Sequence, residues 1–185
     1  MEFLGLDLPS YGWETVLGSA ISGVFLGSIY ALVALGLTLI YGVLHIINFA
    51  HGALLMLAMY AVFFLWKFLG LDPYLAMIIV VPGAYVFGYG LQRGIIGKAS
   101  HGRDEIILLV TLGVSIVIEN AALFFFSASE RSVLVPYDLD GIDLGVTYAV
   151  YPELIALGGS LLITFALWLF MSLTDTGKTI RAVAK

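Results

Sequence analysis

The sequence is poor in charge and contains no cysteine. Of its 185 residues, 8 are Lys or Arg and 13 are Asp or Glu, so 11% are charged, whereas soluble domains contain about 25%. Hydrophobic residues make up 61%. So few charges do not cover the surface of a soluble chain of this length, and the composition therefore indicates an integral membrane protein. The absence of cysteine excludes a disulfide framework, a CxxC redox centre and a thiolate metal site.

Several kinds of chemical site are also excluded by the residues present. The formal net charge of −5 leaves no basic patch for a nucleic acid. Residues 177–179 resemble the end of a phosphate-binding loop, but the earlier glycine of that motif is missing. Residues 138–143 lack the later glutamate of a calcium loop, and His45 and His51 have no third metal ligand nearby. We therefore expect no catalytic residue, no metal and no cofactor in this chain.

The uncharged intervals predict five membrane-spanning helices. Residues 15–66 contain no Asp, Glu, Lys or Arg, and one helix of that length would measure about 78 Å, whereas the hydrocarbon core is about 30 Å thick. This interval therefore holds two spans and an uncharged connection, residues 41–52. The predicted spans are about residues 21–40, 53–69, 74–92, 106–128 and 154–173. Together they predict an all-α bundle that forms a single transmembrane domain over residues 1–185.

The basic residues predict the orientation of this bundle. Six of the eight basic residues fall on one side of a five-span topology: Arg93, Lys98, Arg103, Lys178, Arg181 and Lys185. Because cytoplasmic loops carry an excess of Lys and Arg, we expect the N-terminus outside and the C-terminus in the cytoplasm. Residues 129–152 then form an outer loop, in which Asp140 and Gly141 predict a hairpin turn.

Glu119 and Asn120 lie inside the fourth predicted span. An acid near the centre of a membrane helix costs about 2.5–3.5 kcal/mol on insertion scales. We therefore expect Glu119 to face a partner, water or the interior of the bundle. A role in a translocation path and simple satisfaction by Asn120 or a neighbouring chain are both open.

The connection between the first two spans contains Gly42, Asn48, His51 and Gly52. Irregular backbone survives at membrane depth only where it is buried in protein or lines a wet cavity. We interpret Asn48 and His51 as polar groups that satisfy such backbone, which makes the connection a candidate part of a translocation path.

Three sequence blocks resemble one transporter family. The strings GLTLIYG at residues 36–42 and INFAHG at 47–52 resemble the opening signature of the branched-chain amino-acid permeases of ABC importers, a family that includes urea and short-amide permeases. The string LLVTLGVS at 108–115 is similar to the next block. In residues 174–185, Thr176, Gly177, Arg181 and Ala182 resemble the cytoplasmic segment that couples to the ATPase subunits. The family often has Gln where this chain has Glu119.

The resemblance implies a multi-pass permease subunit in the plasma membrane of a bacterium or archaeon. It implies four kinds of partner: a second, homologous permease subunit, two ATPase subunits that bind ATP and Mg, an external substrate-binding protein and the lipid bilayer. Family members continue with further spans, so we expect the N-terminal part of a permease. Leucine-type amino acids, urea and amides all remain open as substrates. The alternative is a secondary transporter or channel with Glu119 as a proton or cation site, which leaves the coupling segment unexplained.

Overall fold

A computed structural model of the chain describes residues 12–44, 46–99, 104–175 and 177–178. Its α-helices are α1 (Trp13–Leu44), α2 (His51–Leu69), α3 (Pro73–Leu91), α4 (Gly97–Ala99), α5 (Asp104–Phe126) and α6 (Tyr151–Leu173). A π-helical turn, Gln92–Ile96, joins α3 to α4, and two short strands, β1 (Gly141–Asp143) and β2 (Tyr148–Val150), precede α6. Five helical segments are long and apolar enough to cross a membrane, which confirms the five predicted spans.

Three helices, α1, α2 and α6, are longer than the predicted spans, mainly at their N-terminal ends. α1 begins at Trp13 rather than at residue 21, and α6 begins at Tyr151 rather than at residue 154. Their first turns contain Glu14 and Glu153, and an acid is favourable there because it faces the positive end of the helix dipole. Glu14 and Glu153 therefore lie inside α1 and α6, and a charged residue does not mark where these two helices begin. The end of α5, predicted at about residue 128, lies two residues earlier, because Ser127 has a φ of 59° and ends the helix at Phe126.

The connection between α1 and α2 is shorter than predicted. The two helices leave residues 45–50 between them, so Gly42 lies in α1, whereas His51 and Gly52 lie in α2. The prediction of irregular backbone over residues 41–52 is therefore wrong at both ends. Gly42 does not end α1, because a glycine within a helix costs only about 1 kcal/mol relative to alanine.

The described chain forms two compact units, and the first contains residues 12–35 and 136–177. In it, β1 and β2 form an antiparallel pair with Gly141 opposite Val150 and Asp143 opposite Tyr148. The predicted turn at Asp140 and Gly141 is wrong, since Gly141 begins β1. The chain turns at residues 144–147, where the Asp143 carboxylate accepts a hydrogen bond from the Gly145 amide at 2.8 Å. Gly145 has a φ of +77°, which glycine adopts at no steric cost.

The second unit contains residues 36–135 and Lys178, and in it α2 packs against α3 and α5. A tight link explains the pairing of α2 with α3. Gly70, with a φ of 65°, ends α2 and donates its amide to the Trp66 carbonyl, while the Asp72 carboxylate accepts the Tyr74 amide at 2.9 Å and caps α3. Between α2 and α5 the buried core consists of Ala50, Ala53, Val114 and Ile118. The alanines allow close approach of the two helices, as small residues do in membrane proteins.

Arg131 ties the ends of α2 and α5 together in this second unit. Its guanidinium carbon lies 5.5 Å from the ring centre of Phe63, 5.7 Å from that of Phe64 and 6.0 Å from that of Phe126. It also donates a hydrogen bond to the carbonyl of Phe126, the last residue of α5. A cation is favourable over aromatic faces and at the C-terminal end of a helix. One side chain therefore joins both helices at this end of the unit.

Candidate functional site

Asn48 organises the backbone between α1 and α2. Its side-chain oxygen accepts a hydrogen bond from the Ala50 amide at 3.0 Å, and its carbonyl accepts one from the His51 amide at 3.2 Å. Two amide groups at the start of α2, which have no acceptor within that helix, are thereby satisfied. This is the backbone role that the sequence indicates for Asn48. Ile46 and Ala50 on either side are buried, so the segment is held inside the second unit.

Thr111 of α5 holds the same segment from the other side. Its hydroxyl accepts a hydrogen bond from the Phe49 amide at 3.3 Å and donates one to the Leu108 carbonyl at 3.0 Å. The side chain is 1% exposed. Sequence reasoning did not single out Thr111, although it lies in the block 108–115. The signal that identifies it is a hydroxyl inside a strongly apolar helix, since such a group needs a partner when it is buried.

His51 and Gly36 bring the end of α1 close to the start of α2. A Cβ atom on Gly36 would lie 3.3 Å from the His51 Cε1 atom, so the absence of a side chain at 36 makes room for the ring. Gly42 and Gly52, the two glycines predicted as site residues in the connection, have nothing within 4 Å of such an atom. The glycine required for close approach in this region is therefore Gly36, which the sequence indicates only as part of the GLTLIYG string.

Glu119 and Asn120 lie on α5, and both are exposed. The Ser115 hydroxyl donates a hydrogen bond to Glu119 Oε1 at 2.8 Å, and Asn120 donates its amide group to the Ile116 carbonyl at 2.8 Å. Asn120 is thus bonded to its own helix, and Ser115 is the side chain that contacts the carboxylate. Glu119 lies seven residues before the end of α5, which is about 10 Å along the axis. The carboxylate is therefore inside the predicted span and on the surface of the described chain.

A single polar row on α5 links these two regions. Thr111, Ser115 and Glu119 follow one another at intervals of four residues, which places them on one side of the helix. The row runs about 12 Å along the axis. It begins at the buried hydroxyl that holds Phe49 and ends at the exposed carboxylate. The structure thus connects the two polar regions that the sequence indicates separately.

Gly177 is the one predicted coupling residue that the structure describes; Thr176, Arg181 and Ala182 lie outside the described residues. Gly177 is buried against the end of α6, and its amide donates a hydrogen bond to the Thr174 hydroxyl at 3.1 Å. A Cβ atom on Gly177 would lie 2.6 Å from the Met171 Cα atom and 2.6 Å from the Phe170 carbonyl oxygen. Close backbone approach therefore requires glycine here.

The described residues contain no group of three or more His, Asp or Glu side chains placed to hold a metal ion. The polar atoms described above are arranged along helices and at one backbone segment, not around a common centre. This arrangement offers hydrogen bonds and a carboxylate within membrane-spanning helices.

Five apolar helices with polar groups along one helix row define a multi-pass membrane protein. Residues 19–185 match the family described as branched-chain amino acid transport system, permease component. The chain belongs to this family, and it is accordingly a multi-pass protein of the plasma membrane.

Two curated relatives illustrate the similarity. The chain is 30% identical over 177 residues to the high-affinity branched-chain amino acid transport system permease protein BraD of Pseudomonas aeruginosa, an alignment that covers 89% of this chain and 58% of that protein. It is 32% identical over 132 residues to the permease protein LivH of Escherichia coli, with 65% of this chain and 41% of LivH covered. The chain thus spans about half the length of these relatives. No solved structure matches it significantly.

Proposed function

We propose that the chain is part of the membrane-spanning permease subunit of an ATP-driven importer for branched-chain amino acids. The observation that carries this proposal is the family match over residues 19–185. The names of BraD and LivH support the substrate class, since both are permeases of high-affinity branched-chain amino acid transport systems.

The permease contributes the path and catalyses no reaction. A second, homologous permease subunit completes the path, two ATPase subunits bind and hydrolyse ATP with Mg, and an external binding protein delivers the substrate. ATP binding and hydrolysis bias an equilibrium between outward-open and inward-open arrangements of the helices. Differential contacts of the ATPase subunits with the two arrangements provide the driving force.

The polar row on α5 and the segment it holds are the proposed path elements of this chain. Thr111 and Asn48 fix the backbone between α1 and α2, and Glu119 with Asn120 places polar atoms on the exposed side of α5. A substrate that crosses the membrane needs hydrogen-bonding groups to replace part of its hydration, and Glu119 and Asn120 would supply them within the span.

The segment after α6 is the proposed contact with the ATPase subunits. Gly177 packs against Met171 and Phe170 and donates its amide to the Thr174 hydroxyl, so it is held at the end of α6. Thr176, Arg181 and Ala182 belong to the same segment. Arg181 is suited to anchor it, because a guanidinium group binds carboxylates or carbonyls through two hydrogen bonds.

The test is reconstitution of the complete transporter in proteoliposomes with its ATPase subunits and binding protein. We expect uptake of radiolabelled leucine that requires ATP inside the vesicles and stops with an ATPase variant that cannot hydrolyse it. A secondary transporter or channel is the second candidate, because Glu119 is an exposed carboxylate at membrane depth. Uptake driven by a proton or sodium gradient without ATP would overturn the importer and establish that alternative.

A further inference from the structure

The side of α5 that carries Glu119 requires a polar environment. Glu119 and Asn120 are exposed on a helix that is long and apolar enough to cross the membrane. Lipid tails offer a carboxylate no hydrogen bond, and acids at this depth face a water-filled cavity or another polar group. Among the described residues, the Ser115 hydroxyl is the side chain that contacts the Glu119 carboxylate. This part of α5 therefore faces something other than lipid.

The polar atoms at this position are mostly hydrogen-bond acceptors, and we call Ser115, Glu119 and Asn120 the acceptor strip. Ser115 uses its one hydroxyl proton to bond Glu119, and Asn120 uses one of its two side-chain N–H groups to bond the Ile116 carbonyl. The strip then presents the second carboxylate oxygen of Glu119 and the side-chain oxygen of Asn120, whereas Ser115 itself is buried. Acceptors with a negative charge favour a cation that carries N–H groups.

Apolar side chains surround the strip on the same side of α5. Ile116 precedes Glu119 and Asn120 by one helical turn, and Leu123 follows them by one turn. Ile116 is 51% exposed and Leu123 is 55% exposed. A ligand on this surface therefore meets a carboxylate flanked by branched aliphatic groups.

We propose that the acceptor strip binds the α-ammonium group of an aliphatic amino acid as it passes along the path, with the side chain of the substrate against Ile116 and Leu123. The inference rests on the proposed function and names the residues of this chain that would hold the substrate. An ammonium group has three donors and a positive charge, which match the strip.

The experiment uses the complete transporter, reconstituted with its ATPase subunits and binding protein, and compares the wild type with Glu119→Gln. Glutamine keeps the size of the side chain and an oxygen that accepts the Ser115 hydrogen bond, and it removes the charge. We expect the maximal rate of leucine uptake to fall about tenfold or more, the scale of one lost charge-assisted hydrogen bond. Assembly of the complex, basal ATP hydrolysis and the affinity of the binding protein for leucine should not change.

Two further variants make the comparison specific. Glu153→Gln removes the same charge from the first turn of α6 and should import leucine like the wild type. Glu119→Asp keeps the charge on a shorter side chain and should retain more uptake than Glu119→Gln. Wild-type uptake by Glu119→Gln would overturn the inference. Loss of assembly in Glu119→Gln would overturn it too, because the carboxylate would then hold subunits together. Failure of the wild type to use ATP would instead contradict the proposed function.

Discussion

Single small or hydroxylated residues hold the second unit together where its helices meet. Thr111 is buried and joins α5 to Phe49, a residue 62 positions away in the sequence. The sequence indicates that polar groups satisfy the backbone between α1 and α2, and Asn48 does so through a local contact. It does not indicate Thr111, because a contact over this separation depends on how the helices pack. Gly36 was missed for the same reason, since its requirement comes from the ring of His51.

Thr111→Val tests this hydroxyl. Valine has nearly the same shape, so the change leaves the Phe49 amide without its acceptor and creates no large cavity. We expect a loss of about 1–3 kcal/mol, the cost of an unsatisfied buried polar group. The measurement is the thermal stability of the purified complete permease in detergent. Thr111→Ser keeps both hydrogen bonds and should lie closer to the wild type. A Val variant as stable as the wild type would show that the Phe49 contact contributes little.

Gly177→Ala tests the close approach after α6. A Cβ atom there would lie 2.6 Å from two backbone atoms, so the backbone must move, and overpacking of this kind costs about 1–3 kcal/mol. We expect a lower folded yield and less substrate-stimulated ATP hydrolysis in the assembled transporter. Gly88→Ala is the matched control, because nothing lies within 4 Å of a Cβ atom there. Equal behaviour of the two variants would contradict the packing described for Gly177.

At the level of helices and strands, the apolar intervals predict the number and order of the spans, but not where they end. A helix that crosses the hydrocarbon core needs about 20 apolar residues, and stretches of this length can be identified from the sequence. The ends depend on local hydrogen bonds, such as the Asp72 carboxylate at the start of α3. The predicted hairpin is present, but its turn lies later than predicted, because the Gly145 amide donates a hydrogen bond to the Asp143 carboxylate. The apolar content of a segment therefore does not predict where a helix ends or where a turn lies.

Asn48→Leu tests the segment between α1 and α2. Leucine cannot accept a hydrogen bond from the Ala50 amide, so the start of α2 loses one of its satisfied donors. We expect a cost of about 1 kcal/mol, typical for the loss of such a side-chain acceptor, together with slower leucine uptake by the complete transporter. Asn48→Ser retains a side-chain acceptor near the same amide, so it should lose less stability and less leucine uptake than Asn48→Leu. If Leu and Ser were tolerated equally, the segment would be an ordinary loop with no need for the acceptor.

At the level of the whole molecule, the orientation in the membrane is a prediction from charge. Six of the eight basic residues lie on one side of the five-span topology. The number of spans supports this grouping, since the loop between the third and fourth spans and the segment after the fifth fall on the same side only if the helices alternate in direction. A bias of this size sets the orientation of most multi-pass proteins.

Single cysteines test the orientation directly, because the sequence itself has none. In the complete permease with any other cysteines replaced, Asp140→Cys should react with an impermeant maleimide in intact cells, since Asp140 is exposed in the predicted outer loop. Ser100→Cys, among Arg93, Lys98 and Arg103, should react only after the membrane is permeabilised. The physical reason is that translocation of this basic loop opposes the positive-inside bias. Labelling of Ser100→Cys in intact cells would invert the topology and place residues 174–185 outside, where no ATPase subunit can reach them.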